Sequence, residues 1–184
     1  QAIDAIVDDV IEQMDQIEAR RRELQNCDQN PNHSALEPRS GCDVTVRYLS
    51  QVIRTLAPAQ VYAQTLGAYK LIKADERVVG LNFVAPEDHL VSLRDYRQHM
   101  SFIAEIGRQF PEQRAGIALH AGEMTLGLVP PEHLGWHIRE AIFTAGAKRI
   151  GHGIDIAHDD NMRQLLETMA DNKILVEINL TSND

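Results

Sequence analysis

The sequence predicts an α/β fold built on a parallel sheet, and three observations carry that expectation. Short apolar runs recur, each bounded by glycine or polar residues: Arg77 to Phe83 (RVVGLNF), Ala115 to Glu123 (AGIALHAGE), Ala147 to Gly153 (AKRIGHG) and Lys173 to Leu180 (KILVEINL). Continuous apolar runs of this length suit strands buried on both faces, as in a parallel sheet. The segments between them carry apolar residues at helical spacing, so strands alternate with helices. Polar residues close the runs at the same relative place, and in a parallel sheet or barrel the carboxyl ends of successive strands open on one mouth.

Taken in order, Asp4 to Asn26 reads as a helix with Ile3, Ile6, Val7, Val10, Met14 and Ile17 on one stripe. Arg20 to Arg22 complement the negative end of its dipole, which makes them a solvated helix end. Gln25 to Gly41 holds Asn30, Pro31, Pro38 and Gly41 among polar residues and reads as a loop. Cys27 and Cys42 flank it. They have no CxxC spacing, so a zinc knuckle is not expected, and a loop-closing disulfide or a pair of buried thiols fits the spacing equally well. Cellular compartment stays open.

Asp43 to Thr55 mixes β-branched and aromatic residues and reads as a strand leading into a turn. Pro58 suits the first turn of a helix in which Tyr62, Thr65, Leu66, Tyr69 and Ile72 recur at helical spacing. After the Val78 strand, a helix from about Leu90 to Gln109 places Leu93, Tyr96, Met100, Ile103 and Phe110 inward, and Pro111 ends it. Pro130 and Pro131 open a helix from Glu132 to Ala145. Asp159 is the expected N-cap of a last helix carrying Met162, Leu165, Leu166 and Met169.

At 184 residues and 43% hydrophobic, the chain has enough apolar material for one core and about one domain. The net charge of -9 repels phosphates before any contact forms, which excludes nucleic acid as an expected partner. No apolar run approaches the roughly 20 residues of a membrane span, and no basic-then-apolar leader opens the sequence. The chain begins on Gln1, so earlier residues are expected to have been removed.

The candidate chemistry lies at two strand ends. His120 closes one apolar run, Gly122 lets the chain turn away without a Cβ in the path, and Glu123 is delivered to the same rim. His152 closes another between Gly151 and Gly153, so the three polar side chains are expected to converge. His33, His89, His99, His133, His137 and His158 fall in loops or helices, where solvent or a satisfied contact is the default, and Trp136 reads as packing.

These residues resemble the adenosine deaminase family: HAGE at His120 to Glu123, RIGHG at Arg149 to Gly153, TSN at Thr181 to Asn183, and VVGLNFVAPED at Val78 to Asp88 in place of that family's LAGDE segment. GCDVTVRYLSQVIR at Gly41 to Arg54 is similar to its growth-factor-like branch. The resemblance covers the chain from about Gly41 to its end. It implies hydrolytic deamination of adenosine or a related purine nucleoside, giving inosine and ammonia, with a Zn2+ cofactor that lowers the pKa of water toward ~7. By the same resemblance His120 is a metal ligand, Glu123 protonates the ring nitrogen beside the attacked carbon, and His152 is a general base or orients the attacking water. Ala85 and Gly122 are then the substrate-binding positions.

Departures from the family pattern accompany the matches. Asn82 and Ala85 stand where the family has an aspartate and a glycine, and Asn179 and Leu180 where it often has cysteine and proline. The paired HxH and the late aspartate pair of the family have no counterpart here, although a catalytic zinc normally takes three protein ligands and a water. The resemblance therefore implies an incomplete (β/α)8 TIM-type barrel of about five parallel strands with intervening helices, since the full barrel takes roughly 250 residues. Residues 1–40 are expected to form an N-terminal helix and loop, and 41–184 the central part of one barrel domain, lacking its first strand or strands and its last. Such a piece is expected to be inactive alone and to self-associate through open sheet edges. Two other readings remain: another metal-dependent amidohydrolase, or a non-catalytic nucleoside-binding or signalling protein on the same scaffold.

Overall fold

The computed structural model describes residues 2–27, 41–111 and 116–181. The expected loop residues 28–40 with His33, the first residue Gln1, Ala115 at the start of one predicted strand, and Ser182 and Asn183 of the terminal motif lie outside the described residues. Five parallel strands, β1 (Tyr48–Ile53), β2 (Val78–Val84), β3 (Gly116–Ala121), β4 (Arg149–His152) and β5 (Leu175–Glu177), are hydrogen-bonded in chain order. Helices α1 (Ala2–Leu24), α2 (Pro58–Ala74), α3 (Leu90–Gln109), α4 (His137–Phe143) and α5 (Met162–Asp171) alternate with them. The order is that of consecutive β-α units, and β1 and β5 are not paired to each other, so the sheet is a partial barrel that does not close.

Strand residues Val52, Leu81, Phe83, Leu119 and Ile150 are buried against the stripes that helical spacing sets on α2 to α5: Val61, Ala68 and Ile72, then Tyr96, Met100 and Ile103, then Ile138 and Ala141, then Leu165 and Met169. Removing this apolar surface from water is the main favourable contribution to the fold. Helix α1 lies against α2 and buries Val7 and Met14 in the same core, with Ile3, Val10 and Ile11 packed beside them. Ile6 and Ile17, expected on that stripe, are 62% and 59% exposed. At 100° per residue they lie on the flank of the buried arc, and contact with one neighbouring helix covers only a narrow stripe. Met162 and Leu166 of α5 are half-exposed for the same reason.

Several predicted boundaries shift. The strand expected from Asp43 starts only at Tyr48, after a 3₁₀ turn at Gly41–Asp43, because its partner β2 begins at Val78 opposite Tyr48. The helix expected over Glu132 to Ala145 splits into a 3₁₀ turn at Pro131–His133 and the shorter α4. Gly135 separates them at φ 83°, and a Cβ there would collide with the His158 carbonyl. Asp159 does not cap α5. Its carboxylate is taken by Arg139 at 2.9 and 2.6 Å, and Asn161 caps the helix instead by accepting from the Gln164 amide. Strand β5 covers three residues rather than Lys173 to Leu180, since the facing β4 is only four residues long.

The structure resolves the cysteine question in favour of a Cys27–Cys42 disulfide, with the two Cα atoms 5.6 Å apart. The Arg21 guanidinium also reaches the Gly41 carbonyl, so the end of α1 and the approach to β1 are tied together twice. Closing that loop covalently restricts the unfolded chain. Among the described residues no helix is long and apolar enough to cross a membrane.

Candidate active site

Register decides where the candidate side chains go. In the β3–β4 pair His120 lies opposite Gly151 and Ala121 opposite His152, so regular alternation would put the His152 ring on the face away from His120. His152 instead has φ 74°, in the left-handed region, and its ring comes to 5.2 Å from that of His120. A side chain held in this way at a strand end is a recurrent property of working sites. The His152 Nε2 atom lies 3.3 Å from Glu123 Oε2, close enough for a proton to be shared between them.

The three groups line one cavity of about 590 Å³, together with Ala85, Pro86, Asp88, Thr125, Leu128, Ile154 and Asn179. Its volume is that of a small-molecule site. His120 Nδ1 is 3.0 Å from the Phe83 carbonyl, which only accepts, so Nδ1 carries the proton and Nε2 keeps its lone pair. That tautomer fits a single metal ligand. Among the described residues no group of three His, Cys, Asp or Glu side chains is arranged to hold a metal ion.

Of the two expected substrate-side positions, Ala85 lines the cavity and Gly122 does not. The Gly122 amide donates to Glu87 Oε1 at 3.0 Å, behind the wall, and a Cβ on Gly122 would collide with the Asp155 carboxylate. Glycine is required there for close approach and for φ 81°. Ala85 has φ 93°, a conformation that an added methyl makes unfavourable, so the departure from glycine noted in the sequence carries backbone strain. Its carbonyl is held by the Arg54 guanidinium at 2.9 and 2.6 Å, and Arg54 also reaches the His120 carbonyl at 3.4 Å.

Behind the cavity lies a polar layer that the sequence reading did not single out. Glu87 accepts from the Gly122 and Glu123 amides and from His137 Nδ1, the last at 2.6 Å with both side chains fully buried. Burial pushes the Glu87 carboxyl up, but the His137 hydrogen bond, the charge of Arg54 and the Glu123 amide outweigh it and hold the group below its ordinary value. Burial lowers His137, which donates as the neutral imidazole between Tyr96, stacked at 3.8 Å, and Trp136 at 4.2 Å. Burial first, with Glu87 and Asp159 adding repulsion, raises the Asp155 carboxyl to about 7 against the Gly135 amide that favours its charge. His99 and His137 thus depart from the solvated or satisfied default: both ring nitrogens of His99, and Nε2 of His137, are buried without a partner. The available signal was the carboxylate of Glu87 three residues past the end of β2, and the guanidinium of Arg54 one residue past β1.

Comparison with known proteins follows the same residues. No curated protein matches the chain at a significant level. The adenosine deaminase family profile matches residues 29–184, which takes in every strand, the cavity and the polar layer behind it. This chain belongs to the adenosine deaminase family.

Proposed function

We propose that the cavity serves a zinc-dependent hydrolytic deamination of adenosine or a related purine nucleoside, in which water replaces the exocyclic amine and ammonia leaves. The observation that carries this reading is the meeting of Glu123, His152 and His120 at one cavity of nucleoside size, in a chain of the adenosine deaminase family. His120 offers one ligand through Nε2, and the ion requires further ligands beyond the described residues. When bound, zinc supplies the acidity that makes water a nucleophile at neutral pH. Glu123 protonates the purine ring nitrogen as the adjacent carbon is attacked. His152, within 3.3 Å of Glu123, takes and holds the proton of the attacking water on the same side of the ring.

Ala85 presents its backbone to the purine edge, with its methyl narrowing the approach that a glycine would leave open. The substrate is a small molecule, and neither nucleic acid nor a membrane enters this reading. Residues 41–184 then form the central part of a barrel domain preceded by an N-terminal segment, and the 184 residues alone are expected to be inactive and to self-associate at the edges of β1 and β5.

The test is inosine formation from adenosine, deoxyadenosine and adenine by a zinc-loaded polypeptide that supplies the remaining ligands. Glu123→Ala should reduce turnover by about 10²-fold to 10⁴-fold, the usual contribution of a positioned acid. Equal turnover in the variant overturns the assignment of Glu123. Nucleoside binding without turnover in either form would identify a binding protein instead.

A further inference from the structure

Glu87 meets three N–H donors and no solvent. Oε1 accepts from the Gly122 amide at 3.0 Å and from His137 Nδ1 at 2.6 Å, while Oε2 accepts from the Glu123 amide at 2.8 Å. A buried carboxylate is tolerated only when its oxygens are saturated with donors, and here two of the three come from consecutive backbone amides. That arrangement constrains the peptide plane between Gly122 and Glu123 and the direction in which the Glu123 side chain leaves the backbone. The side chain leaves toward the cavity, where Oε2 stands 3.3 Å from His152. The clamp comes from the loop after β2 and the clamped turn follows β3, so two neighbouring strand ends are locked in one geometry. Arg54, buried and bonded to the carbonyls of Ala85 and His120, holds the same two strand ends from below.

We propose that Glu87 is a positioning residue for Glu123: its buried carboxylate grips the two backbone amides of the turn and so sets where the Glu123 carboxyl sits in the cavity. The role in catalysis rests on the deaminase reading above, whereas the grip itself is read without turnover. His137 orients the Glu87 carboxylate, and the Tyr96 and Trp136 rings hold His137.

The first measurement uses the unaltered chain. Scalar coupling across the hydrogen bonds, from the Gly122 and Glu123 amides to the Glu87 side-chain carboxylate, is expected by NMR. Its absence, in spectra that show the β3–β4 backbone couplings, overturns the proposal. In Glu87→Gln one oxygen becomes an amide nitrogen that cannot accept, so hydrogen exchange at Gly122 or Glu123 should quicken about tenfold or more relative to Leu119 and Ile150. Unchanged relative exchange overturns it.

The link to Glu123 is read from affinity for purine riboside, an adenosine analogue without the amine, in a polypeptide with the complete ligand set. Glu123→Gln should weaken binding in the presence of Glu87 and add little in the Glu87→Gln background, whereas full additivity refutes positioning. If the unaltered protein binds no nucleoside, the deaminase reading falls while the coupling and exchange results still decide the grip.

Discussion

Two polar contacts of nearly equal length behave as opposites in this molecule. On α1, Arg20 and Glu23 approach to 2.5 Å with more than half of each side chain in water. Behind the cavity, His137 and Glu87 approach to 2.6 Å with neither exposed. Coulomb attraction varies inversely with the local dielectric, so the first contact is screened to little while the second cannot be replaced by water if it is broken. Length alone therefore says nothing of importance. The many pairs along α1, including Lys70–Asp4 and Arg77–Asp15, decorate a surface, whereas the few groups around Glu87 determine where the strand ends sit.

The comparison is most easily broken at Arg54, which is 1% exposed. Arg54→Met keeps much of the side-chain volume but strips donors from the Ala85 and His120 carbonyls and removes a cation whose charge lowers the Glu87 carboxyl. A loss of about 3 kcal/mol or more in the urea unfolding free energy is expected. Arg20→Ala, at an exposed pair of equally short contact, should leave the urea midpoint unmoved. Similar losses for the two variants would erase the distinction between the regions.

The pH dependence of stability separates them next, because the resolved buried groups push in opposite directions. Asp155 has its pKa raised to about 7 in the fold against about 3.9 in the unfolded chain, so the folded state binds more protons between those values. Its contribution is full below about pH 4 and is lost as pH rises to 7. His99 has its pKa lowered by burial to about 4, against an ordinary value near 6.5, so its contribution is full above about 6.5 and is lost as pH falls to 4. Each effect is on the order of a few kcal/mol at most. Unfolding measured from pH 4 to pH 7 should show partial cancellation. Asp155→Asn should steepen the fall toward acid, and His99→Gln should lessen it without abolishing it, since His137 and Glu87 also have lowered pKa values and lose stability there; unchanged profiles in both would refute these assignments.

What could be read before any coordinates follows from the range of the interactions involved. Strands, helices and the shared mouth were legible because periodicity and strand-end polarity are local, and HAGE and RIGHG place His120, Glu123 and His152 on consecutive strand ends. The polar layer was not, since Glu87 takes its meaning from amides 35 and 36 positions away and Arg54 from carbonyls 31 and 66 away. A carboxylate in a short loop reads as solvated until its partners are known. The cysteine pairing stayed open for the same reason, because spacing does not say that the end of α1 returns to Gly41. Gly122 was assigned to the substrate side from motif position alone, and what occupies the space behind it is Asp155, which no local pattern announces.

The smallest expected effect tests whether the two strand ends are held as one unit. Ala85 at φ 93° carries a penalty of about 1–2 kcal/mol that glycine would not, while glycine gains back-chain freedom in the unfolded state worth about 0.4–1 kcal/mol. Ala85→Gly should therefore raise the urea unfolding free energy by up to about 1.5 kcal/mol, a small gain set against the large loss at Arg54. If the Arg54 guanidinium is what keeps the Ala85 carbonyl in that conformation, the two substitutions cannot be independent: with Arg54→Met already made, Ala85 is released to relax and the glycine gains less. A double-mutant cycle that comes out additive would mean that the strain at Ala85 is imposed by the β2 strand end alone, and that the buried layer does not reach the cavity wall through this residue.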